Sequence, residues 1–539
     1  LLLFRMCGES DDEIVNEEEE KVEVKGEGEN EEAVKRDENE EKKEEAVKEN
    51  EEKEGKRRIR VAVAGCVHGE IDKVYRTMEE LEKDGNGKFD LLLCCGDFQA
   101  TRNYGDLHHM HVPEKYRSLE TFYQYYSRAK KAPVLTIFIG GNHEASGYMC
   151  ELPHGGWVAP NIYYMGNSNV IKYGGLRIGG LSGIYKAGDY HKGRFECPPF
   201  PMGSVVSAYH VRSLDVFRCK QLSPLDIFLS HDWPTGIWDY GDKDWLLRKK
   251  RHFTDDVNSG SMGNPGAREV MMKLRPHYWF SAHMHVGFAA LVEHAKKEGE
   301  EERMTRFLSL DKPLPGRHFL QSLDMWVDED ADLSLSYDEE WLAILKSTDQ
   351  LVSTRNEKVY LPSKANKTER FDFHPTQEEL ATIRSLREDL HIPFNFEPTA
   401  PPLMKDDEEA KRAPPSHYYR NPQSAEFCSW LSIRDVNEIL AGESSTVATP
   451  FYQIEKSREG MKEVEQDREE FGEEDYIIDT GHEEISVMEE KKEGGEGIPS
   501  DGNGLAGWMP PPLNFENTTD DEPKPAEFKR RKVDFDPEE

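Results

Sequence analysis

Seven residues able to offer a lone pair to a cation stand directly after short apolar runs. They are Cys66 and His68 in Gly65-Cys66-Val67-His68, Asp97 in Gly96-Asp97, and Asn142 in Gly140-Gly141-Asn142-His143-Glu144. His231 follows in Ser230-His231-Asp232, and His283 and His285 in Ala282-His283-Met284-His285. A thiolate, a carboxylate, a carboxamide oxygen and four imidazoles are a ligand set for one or two transition-metal ions. Each fragment alone is common. All five in this order, each closing an apolar run between Ile59 and Leu291, point to one site assembled from distant pieces of chain.

The elements that must position them can be read from periodicity. Strands are expected at Arg60–Ala64, Asp90–Cys95, Val134–Ile139, Arg177–Leu181, Asp226–Leu229 and Tyr278–Ala282. Between the first two, Ile71, Val74, Tyr75, Met78 and Leu81 share a helical face. Between the next two, Leu119, Phe122, Tyr123 and Tyr126 do the same. Strands alternating with helices predict an α/β sandwich, in which ligands gather at the carboxyl ends of strands. The glycines before the ligands let the chain turn sharply there.

The chain has 539 residues, with 69 Lys+Arg against 105 Asp+Glu and a net charge of −36, which is too long for one ordinary domain. Residues 1–56 are a Glu/Lys mixture that cannot bury enough apolar surface to fold, so a disordered acidic tail is expected. A catalytic domain is expected over 57–300. A smaller C-terminal domain follows over 301–398, with helices in Glu340–Leu351 and Gln377–Leu390. Residues 399–539 read as a mostly disordered acidic and Pro-rich tail, relieved by an apolar island at Phe427–Leu440. No run suits a signal peptide or a membrane span, and the eight Cys include no Cys-x-x-Cys pair. A soluble, non-secreted protein with reduced thiols and no membrane partner is the expectation.

The order of the five fragments resembles the calcineurin-like metallophosphoesterases, whose pattern is Asp-x-His, Gly-Asp, Gly-Asn-His-Asp/Glu, a lone His and Gly-His-x-His. The resemblance implies a metallophosphoesterase β-sandwich flanked by helices. It also implies one metal site from Cys66, His68, Asp97 and His285, and a second from Asp97, Asn142, His231 and His283, with Asp97 bridging. Two positions depart from the pattern: Cys66 replaces the usual Asp, and Ala282 replaces a Gly. Several stretches narrow the resemblance to the RNA lariat debranching enzyme family: VAVAGCVHGEIDKVY, LLLCCGDFQATRN, FIGGNHEASGY, GGLSGIYKAGDYHKGRFECPPF, LSHDWPTGI and FLSLDKPLPGRHFLQ. The segment from Ser182 to about Arg212 then corresponds to that family's lariat recognition loop.

The implied reaction is hydrolysis of the 2′-5′ phosphodiester at the branch point of excised intron lariat RNA, which linearises it for turnover. Both the 2′ and 3′ oxygens of the branch adenosine are esterified, so no neighbouring hydroxyl can attack and an external nucleophile is needed. A metal that lowers the pKa of bound water from 15.7 to about 7 supplies hydroxide. His143 corresponds to the family's catalytic histidine and is expected to protonate the departing 2′ oxygen; a role orienting Asp97 stays open. The thiolate of Cys66 favours Fe(II) or Zn(II) over Mg(II), with Mn(II) a further candidate and one or two ions per chain. A Cys66 that is only a small buried hydrophobe is the other reading.

In the loop, Tyr185, Lys186, Tyr190, His191, Lys192, Arg194 and Phe195 are candidates for stacking on splayed bases and pairing with phosphates, though each can equally be a packing residue. Arg248–Arg251 offers a second phosphate contact or a solvated helix face. The basic cluster Lys529–Lys532 suits nuclear import, with shuttling to the cytoplasm open. Two other readings keep the same fold: a phosphoserine/phosphothreonine metallophosphatase and a noncatalytic scaffold.

Overall fold

The structure is a computed structural model that describes residues 54–200, 203–296, 302–365, 369–443 and 447–456. Of the tail expected over residues 1–56, residues 1–53 lie outside the described residues, as do the basic cluster Lys529–Lys532 and the rest of 457–539, while Lys56 already opens the first strand.

Strand β1 (Lys56–Ala64) passes from exposed Lys and Arg into an unbroken buried run, as expected of a strand covered on both faces. It pairs in parallel with β2 (Leu91–Cys94), which pairs with β3 (Leu135–Phe138). The antiparallel pair β4 (Gly156–Ala159) and β5 (Ile162–Tyr164) completes that side. The second sheet is built from β6 (Ser168–Tyr173), β7 (Leu176–Leu181), β8 (Ile227–Ser230), β9 (Tyr278–Ser281) and β10 (Phe288–Glu293). The C-terminal stretch adds β11 (Met304–Ser309) and β13 (Leu335–Tyr337) to this sheet and β12 (Leu320–Asp328) to the first. The strand orders are β12-β1-β2-β3-β5-β4 and β10-β11-β9-β8-β7-β6-β13. All six strands expected from periodicity are present; five have ends shifted by one residue, and the first begins four residues earlier, at Lys56 rather than Arg60.

A boundary at residue 300 does not separate two sheets. β11 lies between β10 and β9, and β12 pairs with β1 along nine residues, from Lys56 opposite Asp328 to Ala64 opposite Leu320. The C-terminal stretch therefore supplies strands to both layers of the sandwich.

Helix α1 (Ile71–Leu81) buries Ile71, Val74, Tyr75 and Met78, the face its spacing predicts. The helix expected to carry Leu119 is shorter: only Phe122–Tyr126 is helical, because Glu120 takes a left-handed backbone at φ 54° and ends any continuation toward Leu119. Further on, Glu339–Ser347 starts where Asp338 accepts the Trp341 N–H at 3.0 Å. Gln377–Leu386 starts with a reciprocal cap between Thr376 and Glu379.

Ordered elements also continue past Pro398, where a tail was expected. Asn421 caps the helix Pro422–Leu431, which buries Phe427, Cys428 and Leu431. Gln423 takes the Trp157 N–H and gives its own to the Trp157 carbonyl, both at 2.8 Å. The apolar island thus packs on the sandwich, and Pro-rich composition around it did not prevent that.

Candidate metal centre

The strand ends deliver their polar residues to one place. Five of the ten non-glycine residues with left-handed backbone among the described residues are here: His68, Asp97, Gln99, His283 and His285. Strained backbone held by surrounding structure clusters at functional sites. Glycine is required beside it: a Cβ on Gly141 would collide with Asp97 Oδ1, and one on Gly96 with His231 Nδ1. Ala282, the departure from Gly, costs nothing of this kind, since the positive φ is carried by His283 and His285 instead.

Cys66, His68, Asp97 and His285 place one ligand atom each within 4.8 Å of one another. The Nε2 atoms of His68 and His285 are 3.0 Å apart, and His68 Nε2 is 3.7 Å from Asp97 Oδ2. The other carboxylate oxygen of Asp97 faces the second group, with Oδ1 3.4 Å from His231 Nε2. That nitrogen is 3.2 Å from Asn142 Oδ1, and the His231 and His283 rings lie 5.0 Å apart. Asp97 therefore stands between the two groups of candidate ligands.

Charge in the site follows from burial. Burial raises the Asp97 carboxyl, but His231, His68 and His143 more than offset it and hold Asp97 well below the usual carboxylate range. Burial and the charge of His231 push His283 down to about 3; burial and His68 push His285 down to about 4. Burial also lowers His68. His231 is the exception, because Asp97 draws it up against the lowering by burial. Burial and Asp97 push the Cys66 thiol well up, so a thiolate there requires a cation. Converging neutral nitrogens, one carboxylate and one buried thiol fit a divalent metal and suit little else.

Residues without a ligating role hold the set in place. Glu144 accepts the N–H groups of Phe98 (2.7 Å), Gln99 (2.8 Å) and Gly141 (3.0 Å), binding the Asp97 turn to the Asn142 turn. The Gln99 side chain reaches His68 Nδ1 at 3.3 Å, and the Cys95 carbonyl fixes His231 Nδ1 at 2.8 Å. Neither Glu144 nor Gln99 was assigned a role from sequence. Glu144 had a signal in its place after Asn142-His143, whereas nothing local marks Gln99. His143 gives its backbone N–H to Asp97 Oδ1, its ring lies 5.6 Å from that of His68, and its buried Nδ1 has no hydrogen-bond partner among the described residues.

The recognition-loop candidates separate into two kinds. Lys186 and His191 are exposed, and Tyr185 and Tyr190 meet edge to face at 5.2 Å beside His191. The Tyr185 N–H donates to Asp232 Oδ2 at 3.1 Å, anchoring the loop next to His231. Arg194, by contrast, is paired with Asp215 at 2.6 Å, and Lys192 with Asp189 at 3.0 Å. Phe195 is half-buried. Arg248, Lys249 and Arg251 are exposed at and just beyond the end of the helix Lys243–Lys249, and Lys250 is half-buried. No helix among the described residues is long and apolar enough to cross a membrane.

The calcineurin-like phosphoesterase family profile matches residues 59–287, and that of the lariat debranching enzyme C-terminal domain matches residues 302–436. A Caenorhabditis elegans lariat debranching enzyme is 54% identical over 442 residues, covering 79% of this chain and 88% of the relative. The Homo sapiens lariat debranching enzyme is 51% identical over 382 residues, 70% of each chain. That of Danio rerio is 45% identical over 468 residues, 84% of this chain and 81% of its own. With both domains matched in order and relatives aligned along most of its length, this chain belongs to the lariat debranching enzyme family of hydrolases.

Proposed function

We propose that this chain hydrolyses the 2′-5′ phosphodiester at the branch nucleotide of excised intron lariat RNA. The observation that carries the reading is the position of Asp97, one buried carboxylate turned toward two ligand clusters. Cys66, His68, Asp97 and His285 would hold one divalent ion, and Asp97, Asn142, His231 and His283 a second. When bound, such ions supply Lewis acidity toward the phosphate and activate water as the nucleophile. A branch phosphate demands this, because its own sugar has no free hydroxyl to attack.

The chain's own residues complete the chemistry. His143 is kept beside Asp97 by its backbone and takes no part in either ligand set, so its imidazole is free to protonate the departing 2′ oxygen. Tyr185 and Tyr190 offer ring faces to unstacked bases, and Lys186 offers charge to a phosphate. Arg194 and Lys192 serve the loop's own structure. Cys66 favours Fe(II) or Zn(II), with Mn(II) the harder alternative. Because introns are excised in the nucleus, and Lys529–Lys532 suits an import signal, the nucleus is the proposed location.

The test offers the metal-loaded protein a branched RNA, a linear 3′-5′ RNA and a phosphopeptide. Cleavage at the branch alone is expected. Preference for the phosphopeptide would favour a protein phosphatase, and no turnover of any substrate a scaffold.

A further inference from the structure

Arg218 lies on the helix Ser213–Cys219 and is 6% exposed. Its Nε donates to Thr348 Oγ1 at 2.9 Å, but among the described residues no carboxylate lies within ion-pair distance of it. The acids nearby are taken: Asp215 pairs with Arg194 at 2.6 Å, and Asp349 with Arg434 at 3.1 Å. Burying a guanidinium without a counter-ion is costly unless an anion joins it.

The side chain lines a cavity of about 60 Å³, with the cations Lys192, Arg194 and Arg212, the carboxylate of Asp215, and His154 and Ser353 among the other walls. Lys192, Arg194 and Arg212 are ion-paired with Asp189, Asp215 and Glu196, so among the described residues Arg218 is the cation of this wall without an ion pair of its own, and Asp215 and Asp349 act on it only from beyond contact. His154 stacks on Phe427 with ring centres 5.3 Å apart, and its buried Nε2 has no hydrogen-bond partner among the described residues. One water needs on the order of 10–15 Å³ of such space. The cavity thus has room for a few waters or one tetrahedral anion, and none for a nucleoside.

We propose that this cavity binds one small oxyanion of the inorganic phosphate class, gripped by the Arg218 guanidinium and His154 Nε2. The planar fork of an arginine suits two oxygens of such an ion. No residue of the metal centre lines the cavity, so the site is separate and goes beyond the reaction proposed above. Its walls join the recognition loop to the C-terminal stretch. The Gly193 N–H donates to the Arg355 carbonyl at 3.1 Å, that of Arg194 to Ser353 at 2.9 Å, and that of Val359 to His191 at 2.6 Å. A bound oxyanion braces that seam, and with it the base of the loop that carries Tyr185 and Tyr190.

The test is thermal unfolding of the metal-loaded full chain in sodium phosphate and in sodium chloride at equal ionic strength, for the parent, Arg218→Met and His154→Phe. Phosphate should raise the parent's midpoint saturably, by about 1–2 °C at ten times its Kd. The variants should lose that Arg218- and His154-dependent rise and keep only what they share with the parent, the unsaturable rise that excluded anions give any protein and any phosphate effect at the metal centre. Phosphate bound at the metal centre affects all three alike and cancels in the difference. If Arg218→Met fails to fold, His154→Phe, which keeps the stacked ring, carries the comparison. Adenosine 5′-monophosphate should give no rise that depends on Arg218. Equal saturable rises in the parent and the folded variants would overturn the proposal, as would an Arg218-dependent rise with the nucleotide and none with phosphate.

Discussion

The backbone N–H of His143 donates to Oδ1 of Asp97 at 2.8 Å, so the carboxylate between the two ligand clusters also fixes the position of the residue assigned to proton transfer. Because that link runs through the backbone, His143→Ala leaves it intact. The variant should keep its metal content and lose about 10²- to 10⁴-fold in cleavage. His231→Ala removes an atom 3.4 Å from Asp97 and should lose metal as well as rate. Metal analysis beside single-turnover cleavage separates the two. An active His143→Ala enzyme would remove the proton-transfer assignment.

Cys66→Asp replaces a thiol by a harder donor within the cluster that also holds His68 and His285. Metal preference should move toward Mn(II) or Mg(II). Cleavage of branched RNA is expected to slow while bound metal rises, because a thiolate at residue 66 makes a weaker site for hard ions than a carboxylate, and filling that site would misplace the nucleophile. Unchanged metal preference together with an unchanged rate would show that residue 66 is not a ligand.

Stability depends on a charge cluster far from the reaction. Buried Arg102 holds Asp106 at 2.8 Å and Glu151 at 2.7 Å, and its Nη1 donates to Thr399 Oγ1 at 2.8 Å. Arg102→Leu leaves two carboxylates buried without a counter-charge, a loss of about 3–5 kcal/mol that denaturant unfolding should record. A change below about 1 kcal/mol, the scale of a surface ion pair, would mean that water reaches this cluster.

His109 is 2% exposed, and burial holds it at about 4 against an ordinary 6.5. Between those values the unfolded chain binds a proton that the folded chain refuses, so stability falls as pH drops from about 6.5 toward 4. The contribution reaches about 3 kcal/mol at the acid end. His109→Leu should flatten the pH dependence of the unfolding free energy over that window. Parallel curves for the two proteins would show that His109 is protonated without strain.

The ligands were legible because each follows an apolar strand and stands beside a glycine, a local pattern that survives without knowledge of what pairs with what. β12 was not. Nothing near Leu320–Asp328 indicates that it lies along Lys56–Ala64, since that pairing is made across more than half the folded chain. The loop shows the same limit at the scale of side chains: Lys186, Lys192 and Arg194 look alike in sequence, and only the positions of Asp189 and Asp215 show which cations are already taken. Composition misled beyond Pro398, where Phe427, Cys428 and Leu431 outweigh their Pro-rich surroundings by packing on the sandwich.

In the proposed reaction water attacks the branch phosphorus while the 2′ oxygen leaves. Cleavage of a synthetic branched RNA in ¹⁸O-water, followed by mass spectrometry of both products, tests this directly. One ¹⁸O should appear in a 5′-phosphate on the released arm, and the branch nucleotide should regain an unlabelled 2′ hydroxyl. Label in that hydroxyl, or a phosphate left on the branch nucleotide, would contradict it.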